Sequence, residues 1–354
     1  MNQMKHTTLI CIFFLALTSV VEAQQLVTGR ITDADEGHPL VGAHIFIANT
    51  TIGTTSDASG NYKLTIPGVG NYEITVSYVG YEPFIHKIDM PKPSHQIDVA
   101  LKIKELPEVV VTAPRNFRRR DVNLFWRTLL GVNPSRRGLE ILNSERVFFY
   151  LNSDNVLKVY CDEPIEIVNH EMGYHIQYVL KNFQHDYNTD EADYEGSSYF
   201  RELIPQNDRQ KNSWEKKRQD VYPVSITCFI RALYRQQIHE EGFLLVKRDE
   251  SRRINTPFPL PDILKADGNP VTVTIDSPLY LGCFAQPVTK EMIENSNNLM
   301  FVYKNETFPV LKFFPQQISI FADGTYSGKL EIQELRSRIS GLSMKLPIEY
   351  ALNR

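Results

Sequence analysis

The sequence predicts a mainly β protein, with an N-terminal β-sandwich followed by an α+β domain rich in strands. Three observations carry this. Apolar and polar residues alternate in short runs up to Lys104, turn residues break those runs about every 8–12 residues, and after Asn116 helical periodicity joins the alternation.

The chain opens with an export pattern. Lys5 precedes an apolar run from Leu9 to Leu17, and small residues lead to Val21-Glu22-Ala23, so residues 1–23 read as a signal peptide cut before Gln24. Cys11 lies inside the apolar run, unlike a lipidated cysteine, and reads as a hydrophobic filler. No later stretch reaches the roughly 18 apolar residues of a transmembrane helix. The expected location is the periplasm or the periplasmic face of the outer membrane. The cysteines after the cut are Cys161, Cys228 and Cys283; at most one pair can close, and their spacing does not say which. Net charge is −4 and the basic residues are dispersed apart from Arg115 and Arg118–Arg120, so a nucleic-acid partner is not indicated.

The first domain spans 24–104. In Tyr72–Tyr78 the residues Tyr72, Ile74, Val76 and Tyr78 share one face, as in a half-buried strand. Comparable runs occur at Leu26–Ile31, Ala43–Ala48, Tyr62–Ile66, Phe84–Ile88 and Ile97–Ile103, which together predict six or seven strands. Four blocks stand in order: Val27-Thr28-Gly29-Arg30-Ile31-Thr32-Asp33; Pro39-Leu40-Val41-Gly42-Ala43; Gly53-Thr54-Thr55-Ser56-Asp57 with Gly60-Asn61-Tyr62; and Val76-Ser77-Tyr78-Val79-Gly80-Tyr81. Together they resemble the carboxypeptidase-regulatory-like domain over about 80 residues. The resemblance implies a transthyretin-like (Ig-like) β-sandwich, a domain that often precedes TonB-dependent outer-membrane receptors of the Bacteroidetes. It also implies no peptidase, because the regulatory-like domain is non-catalytic in that family. Asp33-x-Asp35-x-Gly37 lacks the later ligands of a calcium loop and reads as a turn.

Residues 105–119 form the linker. Within it, Glu105 to Arg115 is a β-branched strand bracketed by Pro107 and Pro114, similar to the TonB-box-like segment that follows this domain in those receptors. A receptor barrel of some 22 strands does not fit the residues after Arg115, so the sandwich is expected to serve a different partner domain.

The second domain, 120–354, starts with helical spacing at Val122, Phe125 and Leu129, ended by Gly131. Strand runs follow at Arg146–Leu151, Val156–Cys161, Ile165–Val168 and Tyr174–Leu180, with Asn152–Asn155 as a hairpin turn. Asp186–Glu195 reads as an exposed acidic loop, and Asp208–Gln219 and Val224–Gln236 as helices, the second packed inward through Ile226, Phe229, Ile230 and Leu233. Strands are then expected at Gly242–Val246, Leu299–Tyr303 and Gln317–Phe321, with an Asp323-Gly324 turn. Gly173-Tyr174-x-Ile176, Trp214-x-x-x-Arg218, Phe229–Leu233, Glu241-Gly242-Phe243 and Leu346–Tyr350 resemble the pattern of uncharacterised Bacteroidetes exported proteins that carry this sandwich; that family implies no reaction.

Reactive patterns are few. His170 and His175 are five apart, whereas a zincin helix needs four, and in a strand such residues face opposite ways, so ordinary strand-end histidines are expected. Ser213-x-x-Lys216 lacks its companion motifs. The cluster Asp190-Glu191-x-Asp193-x-Glu195 reads as a solvated face. Abundant aromatics could line a glycan platform, although most fall at alternating strand positions suited to a core. The sequence therefore assigns no catalytic, cofactor or metal residue. Its expected function is a non-catalytic exported envelope module that binds or supports, in glycan handling or outer-membrane assembly, with a protein or glycan partner. The alternative is a hydrolase of envelope glycans or peptides without a readable motif.

Overall fold

The computed structural model describes residues 25–90, 95–104, 117–131, 138–249, 251, 254–260, 264–265, 270–284, 286–294, 310–328, 330, 332–336 and 341–351. The expected signal peptide, the expected TonB-box-like segment and the expected strand at Leu299–Tyr303 lie outside these residues.

The first domain contains β1 (Gln25–Asp33), β2 (His44–Ile47), β3 (Gly53–Thr55), β4 (Asn61–Ile66), β5 (Gly70–Ser77), β6 (Phe84–Met90), β7 (His95–Gln96) and β8 (Val99–Leu101). They form two four-stranded sheets, β4-β1-β7 with β8 also on β1, and β3-β2-β5-β6. Val27, Ile31, Tyr62 and Leu64 of the first sheet meet Ile45, Ile47, Ile74 and Val76 of the second in one buried core. The expected run Ile97–Ile103 is narrower than the sequence implied: β8 occupies only its centre. The block around Asp57 is a turn held by its own carboxylate, which accepts from Ser59 N and Asn61 N. Gly60 sits there at φ +78, where a Cβ would lie 2.5 Å from the Ile31 carbonyl oxygen, so only glycine fits.

The second domain begins with α1 (Arg119–Leu130), closed by Gly131 in the left-handed conformation. Then come β9 (Leu139–Ile141), β10 (Val147–Leu151), β11 (Val156–Cys161), β12 (Ile165–Asn169), β13 (Tyr174–Asp186), β14 (Glu191–Glu202), α2 (Asp208–Val221) and α3 (Ile226–Tyr234). After these follow β15 (Phe243–Asp249), β16 (Ile254–Pro257), β17 (Leu264–Lys265), β18 (Val271–Ile275), β19 (Leu279–Cys283), α4 (Lys290–Glu294), β20 (Val310–Phe313), β21 (Gln316–Ile320), β22 (Tyr326–Ser327) and β23 (Ile332–Arg336). A six-stranded sheet runs β10-β11-β13-β12-β9 with β14 on β13; two smaller sheets run β16-β15-β19-β20-β23 and β17-β18-β21-β22. All three contribute to one core, in which Phe125 of α1 meets Phe149 and Phe183 and Phe229 of α3 meets Phe243 and Phe313.

One expectation is corrected. Asp186–Glu195 is not an irregular loop: β13 and β14 run through it as a long hairpin whose turn is residues 187–190. On the β14 side residues 191–195 are all solvent-exposed, so the core-facing alternation that marks a strand is absent there, while β13 still buries Phe183 and His185 and the backbone ladder continues. The open question of cysteine pairing is narrowed: Cys161 is a free thiol, pushed up to about 12 by burial, and Cys228 and Cys283 are buried in the same core.

The domains dock through the turn after β2. Asn49, at φ +64, donates its N–H to Ser198 O and accepts Ile348 N on its carbonyl, and Thr50 O accepts Phe200 N. Ser198 Oγ donates to Asn49 Oδ1, and Thr51 donates through N and Oγ1 to Glu349. Around this clamp Ser197 Oγ donates to Glu73, Tyr72 OH to Asp323, and Lys104 Nζ to Cys161 O. The sandwich turn is thus held between the edge of β14 and the segment Leu346–Ala351.

Candidate functional site

The alternation of β12–β14 sorts their side chains onto two faces. Ile165, Ile167, Tyr174, Ile176 and Phe200 enter the core. On the other face, the register sets Glu166 opposite Gln177, Gln177 opposite Tyr199, and His175 opposite Arg201. Docking of the sandwich places His44 and Gly53 over this polar face and leaves a cleft of about 640 Å³, also lined by Thr54, Thr55, Ser77 and Tyr78.

Within the cleft a chain of polar groups is fixed. Gln177 Nε2 donates to Glu166 Oε1 at 2.8 Å, His175 Nε2 approaches Glu166 Oε2 to 2.6 Å, and Arg201 Nη2 lies 2.8 Å from His175 Nδ1. A guanidinium has only donors, so His175 Nδ1 accepts and the ring carries its proton on Nε2, the nitrogen beside Glu166. Burial alone would raise the Glu166 pKa, but the interactions with His175 and Gln177 and the charge of Arg201 outweigh it, and the carboxyl is held below its usual value. His44 packs edge-on to Tyr199 at 4.6 Å. Burial first, then the Arg201 charge, lowers its pKa to about 4, so its ring is neutral at neutral pH. The arrangement presents a fixed cation, a phenol, an amide oxygen and hydroxyls to a ligand, while its acid and base are engaged with each other.

The residues singled out in the sequence lie elsewhere, His175 excepted. His170 pairs with Glu140 at 3.0 Å, away from His175. Asp33 Oδ1 accepts from Asp35 N and Glu36 N while Oδ2 accepts Tyr81 OH; these bonds, that from Glu36 foremost, lower its pKa, and the loop is a turn. Asp190 to Glu195 form the exposed hairpin tip, and Ser213 and Lys216 are exposed on α2. Among the described residues, no three His, Cys, Asp or Glu side chains gather as a metal set. Glu166, Gln177, Tyr199, Arg201 and His44 were missed. Their one sequence signal is polar residues two apart, Gln177 after His175 and Arg201 after Tyr199, where a strand should be half-buried.

The other motif residues are architectural. Arg218 Nε donates to Met172 O, Nη1 pairs with Glu202, and the guanidinium stacks 4.1 Å from the Tyr174 ring centroid. Trp214 Nε1 donates to His170 O above Gly173. Arg231 donates to the carbonyls of Asp323, Ile348 and Tyr350 and to Tyr222 OH, and so ties the C-terminal segment to α3. A second interdomain cavity, about 570 Å³, lies around these groups. A third, about 310 Å³, holds Glu73 and Lys345, whose amine is brought down to about 8 by burial against the opposing pull of Glu73.

Comparison with known proteins agrees with the first domain. A receptor of Formosa agariphila, TonB-dependent receptor P3, is 30% identical over 125 residues, and TonB-dependent receptor SusC of Bacteroides thetaiotaomicron is 33% identical over 123. Each alignment covers 34% of this chain, and the chain spans only 12% of either receptor's length. Among solved structures, a putative membrane-associated protein of Bacteroides fragilis aligns at 12% identity over 52% of this chain and 84% of its own, with a TM-score of 0.19. A putative carbohydrate binding protein of Bacteroides uniformis aligns at 11% identity over 49% and 78%, with a TM-score of 0.18; scores this low carry no argument. No helix among the described residues is long and apolar enough to cross a membrane. The family model for the CarboxypepD_reg-like domain matches residues 27–111, so the N-terminal sandwich of this chain is a carboxypeptidase-regulatory-like domain, joined here to an α+β domain.

Proposed function

We propose that this is an exported, non-catalytic binding module of the bacterial envelope, acting in glycan handling or outer-membrane assembly, with the groove between its two domains as the recognition surface. The observation that carries this is the closed pairing of Glu166, His175, Gln177 and Arg201. A general acid or base must be able to exchange a proton with a bound substrate. Glu166 Oε1 accepts from Gln177, His175 Nδ1 accepts from Arg201, Glu166 Oε2 and His175 Nε2 lie 2.6 Å apart and shut off from solvent, and neutral His44 lies against Tyr199. What remains directed at the groove binds rather than reacts: an arginine, a tyrosine and hydroxyls.

The test is incubation of the purified mature chain with envelope polysaccharides and peptidoglycan fragments, measuring retention and released products together. Saturable retention without new reducing ends or peptides is expected. Catalytic release of products that Glu166→Gln abolishes would establish the hydrolase alternative instead.

A further inference from the structure

We propose that Arg201 makes the groove a site for a carboxylate-bearing glycan, a chain of uronate type; this rests on the groove being the recognition surface. Arg201 is exposed at the groove wall, and the one hydrogen bond of its guanidinium among the described residues goes to His175 Nδ1, which leaves its other guanidinium N–H groups for a ligand. The chain behind it fixes its place: Gln177 holds Glu166, Glu166 holds His175, and His175 accepts from the guanidinium. A pre-positioned guanidinium fork is the group best matched to a carboxylate.

The groove's own carboxylates do not compete for it. Glu166 is committed to His175 and Gln177, and Glu163 to Arg146 and Asn143. The positive field also reaches His44, across the cleft. The rest of the lining favours a saccharide over a peptide. Thr54, Thr55, Ser77, Gln177 and Tyr199 offer hydroxyls and an amide, whereas a peptide would need apolar pockets for its anchoring side chains, and here Val79 and Pro164 are the aliphatic contributions. His175 is a positioning residue, acting through Arg201.

The experiment is titration calorimetry of the full mature chain with three probes: tetragalacturonate, its carboxyl-reduced neutral counterpart, and tetraglutamate. The acidic saccharide is expected to bind most tightly. Arg201→Ala should weaken it roughly 10- to 100-fold, the size of a lost charge-assisted contact, and leave the neutral probe within about twofold. Arg201→Lys should fall between, because an ammonium lacks the fork. His175→Ala should weaken the acidic probe alone; a merely structural defect would weaken both saccharides. Thr55→Trp, at an exposed position of the lining, should block both saccharides. Equal binding of the two, unchanged by Arg201→Ala but blocked by Thr55→Trp, would overturn the carboxylate assignment and leave the groove standing. Saccharide binding indifferent to Thr55→Trp would overturn the groove itself. Binding of tetraglutamate alone, or of no probe, would overturn the glycan assignment.

Discussion

Replacement of Arg231 by methionine measures how the C-terminal segment is held. Arg231 is only 9% exposed and its guanidinium reaches the carbonyls of Asp323 at 2.9 Å, Ile348 at 2.6 Å and Tyr350 at 2.8 Å, with Tyr222 OH at 3.0 Å. Hydrogen bonds from a charged donor contribute about 1.5–3 kcal/mol each, and a shared donor makes them non-additive. Asp323, Ile348 and Tyr350 are half-buried, so the released carbonyls partly regain water. Allowing for both effects, the loss should be about 3–4 kcal/mol. In a domain of this size that is roughly a 10 °C fall in Tm. Both tryptophans, Trp126 and Trp214, lie in the second domain, so their fluorescence during thermal unfolding reports on it alone. Arg231→Lys keeps the charge but cannot span three carbonyls and should recover less than half of the loss. A shift below about 1 kcal/mol for Arg231→Met would refute the reasoning, because the carbonyls would then find equivalent partners without it.

Further predictions follow from local geometry. Gly173 lies at φ +69, and an added Cβ would sit 2.3 Å from the Trp214 ring, so Gly173→Ala should cost about 2 kcal/mol or more and change Trp fluorescence. Asn49→Ala should destabilise by about 2 kcal/mol in urea denaturation, through left-handed strain and the lost Ser198 bond, while Asn49→Gly loses only the bond and about half as much. His44 titrates near 4 when folded but near 6.5 when unfolded, so the unfolded state binds more protons between those values. Stability is therefore complete above about pH 6.5 and declines as pH falls toward 4, and His44→Gln should flatten that part of the profile. N-terminal sequencing of protein from native envelopes should begin at or near Gln24; an intact Met1 would contradict export.

How much of this was legible depended on whether local periodicity and tertiary burial agreed. In the sandwich they agree: Tyr72, Ile74 and Val76 alternate in sequence and are all buried. The helix ended by Gly131 and the hairpin at Asn152–Asn155 follow from backbone preferences that need no tertiary context. The β14 side of the hairpin tip was illegible because residues 191–195, exposed on both faces, carry no hydrophobic signature. The groove was illegible for another reason. His175 drew notice as a neighbour of His170, yet its partners, Glu166 and Arg201, come from flanking strands, and the opposite wall comes from the sandwich. That wall is set by Asn49 and Thr50 pairing with the edge of β14, a long-range match that no local pattern encodes. The motif residues Arg218 and Arg231 stood out in the sequence, but their many backbone acceptors mark them as anchors of architecture.

The central claim is that the groove between the domains is where the protein meets its ligand. Hydrogen–deuterium exchange on the full mature chain, with and without saturating tetragalacturonate, tests it directly. Slowed exchange confined to β2–β3 and to β12–β14 around Glu166, Gln177 and Arg201 is predicted. Protection centred on the cavity at Tyr222 and Arg235, on the hairpin tip at Asp190–Glu195, or on no segment would contradict it.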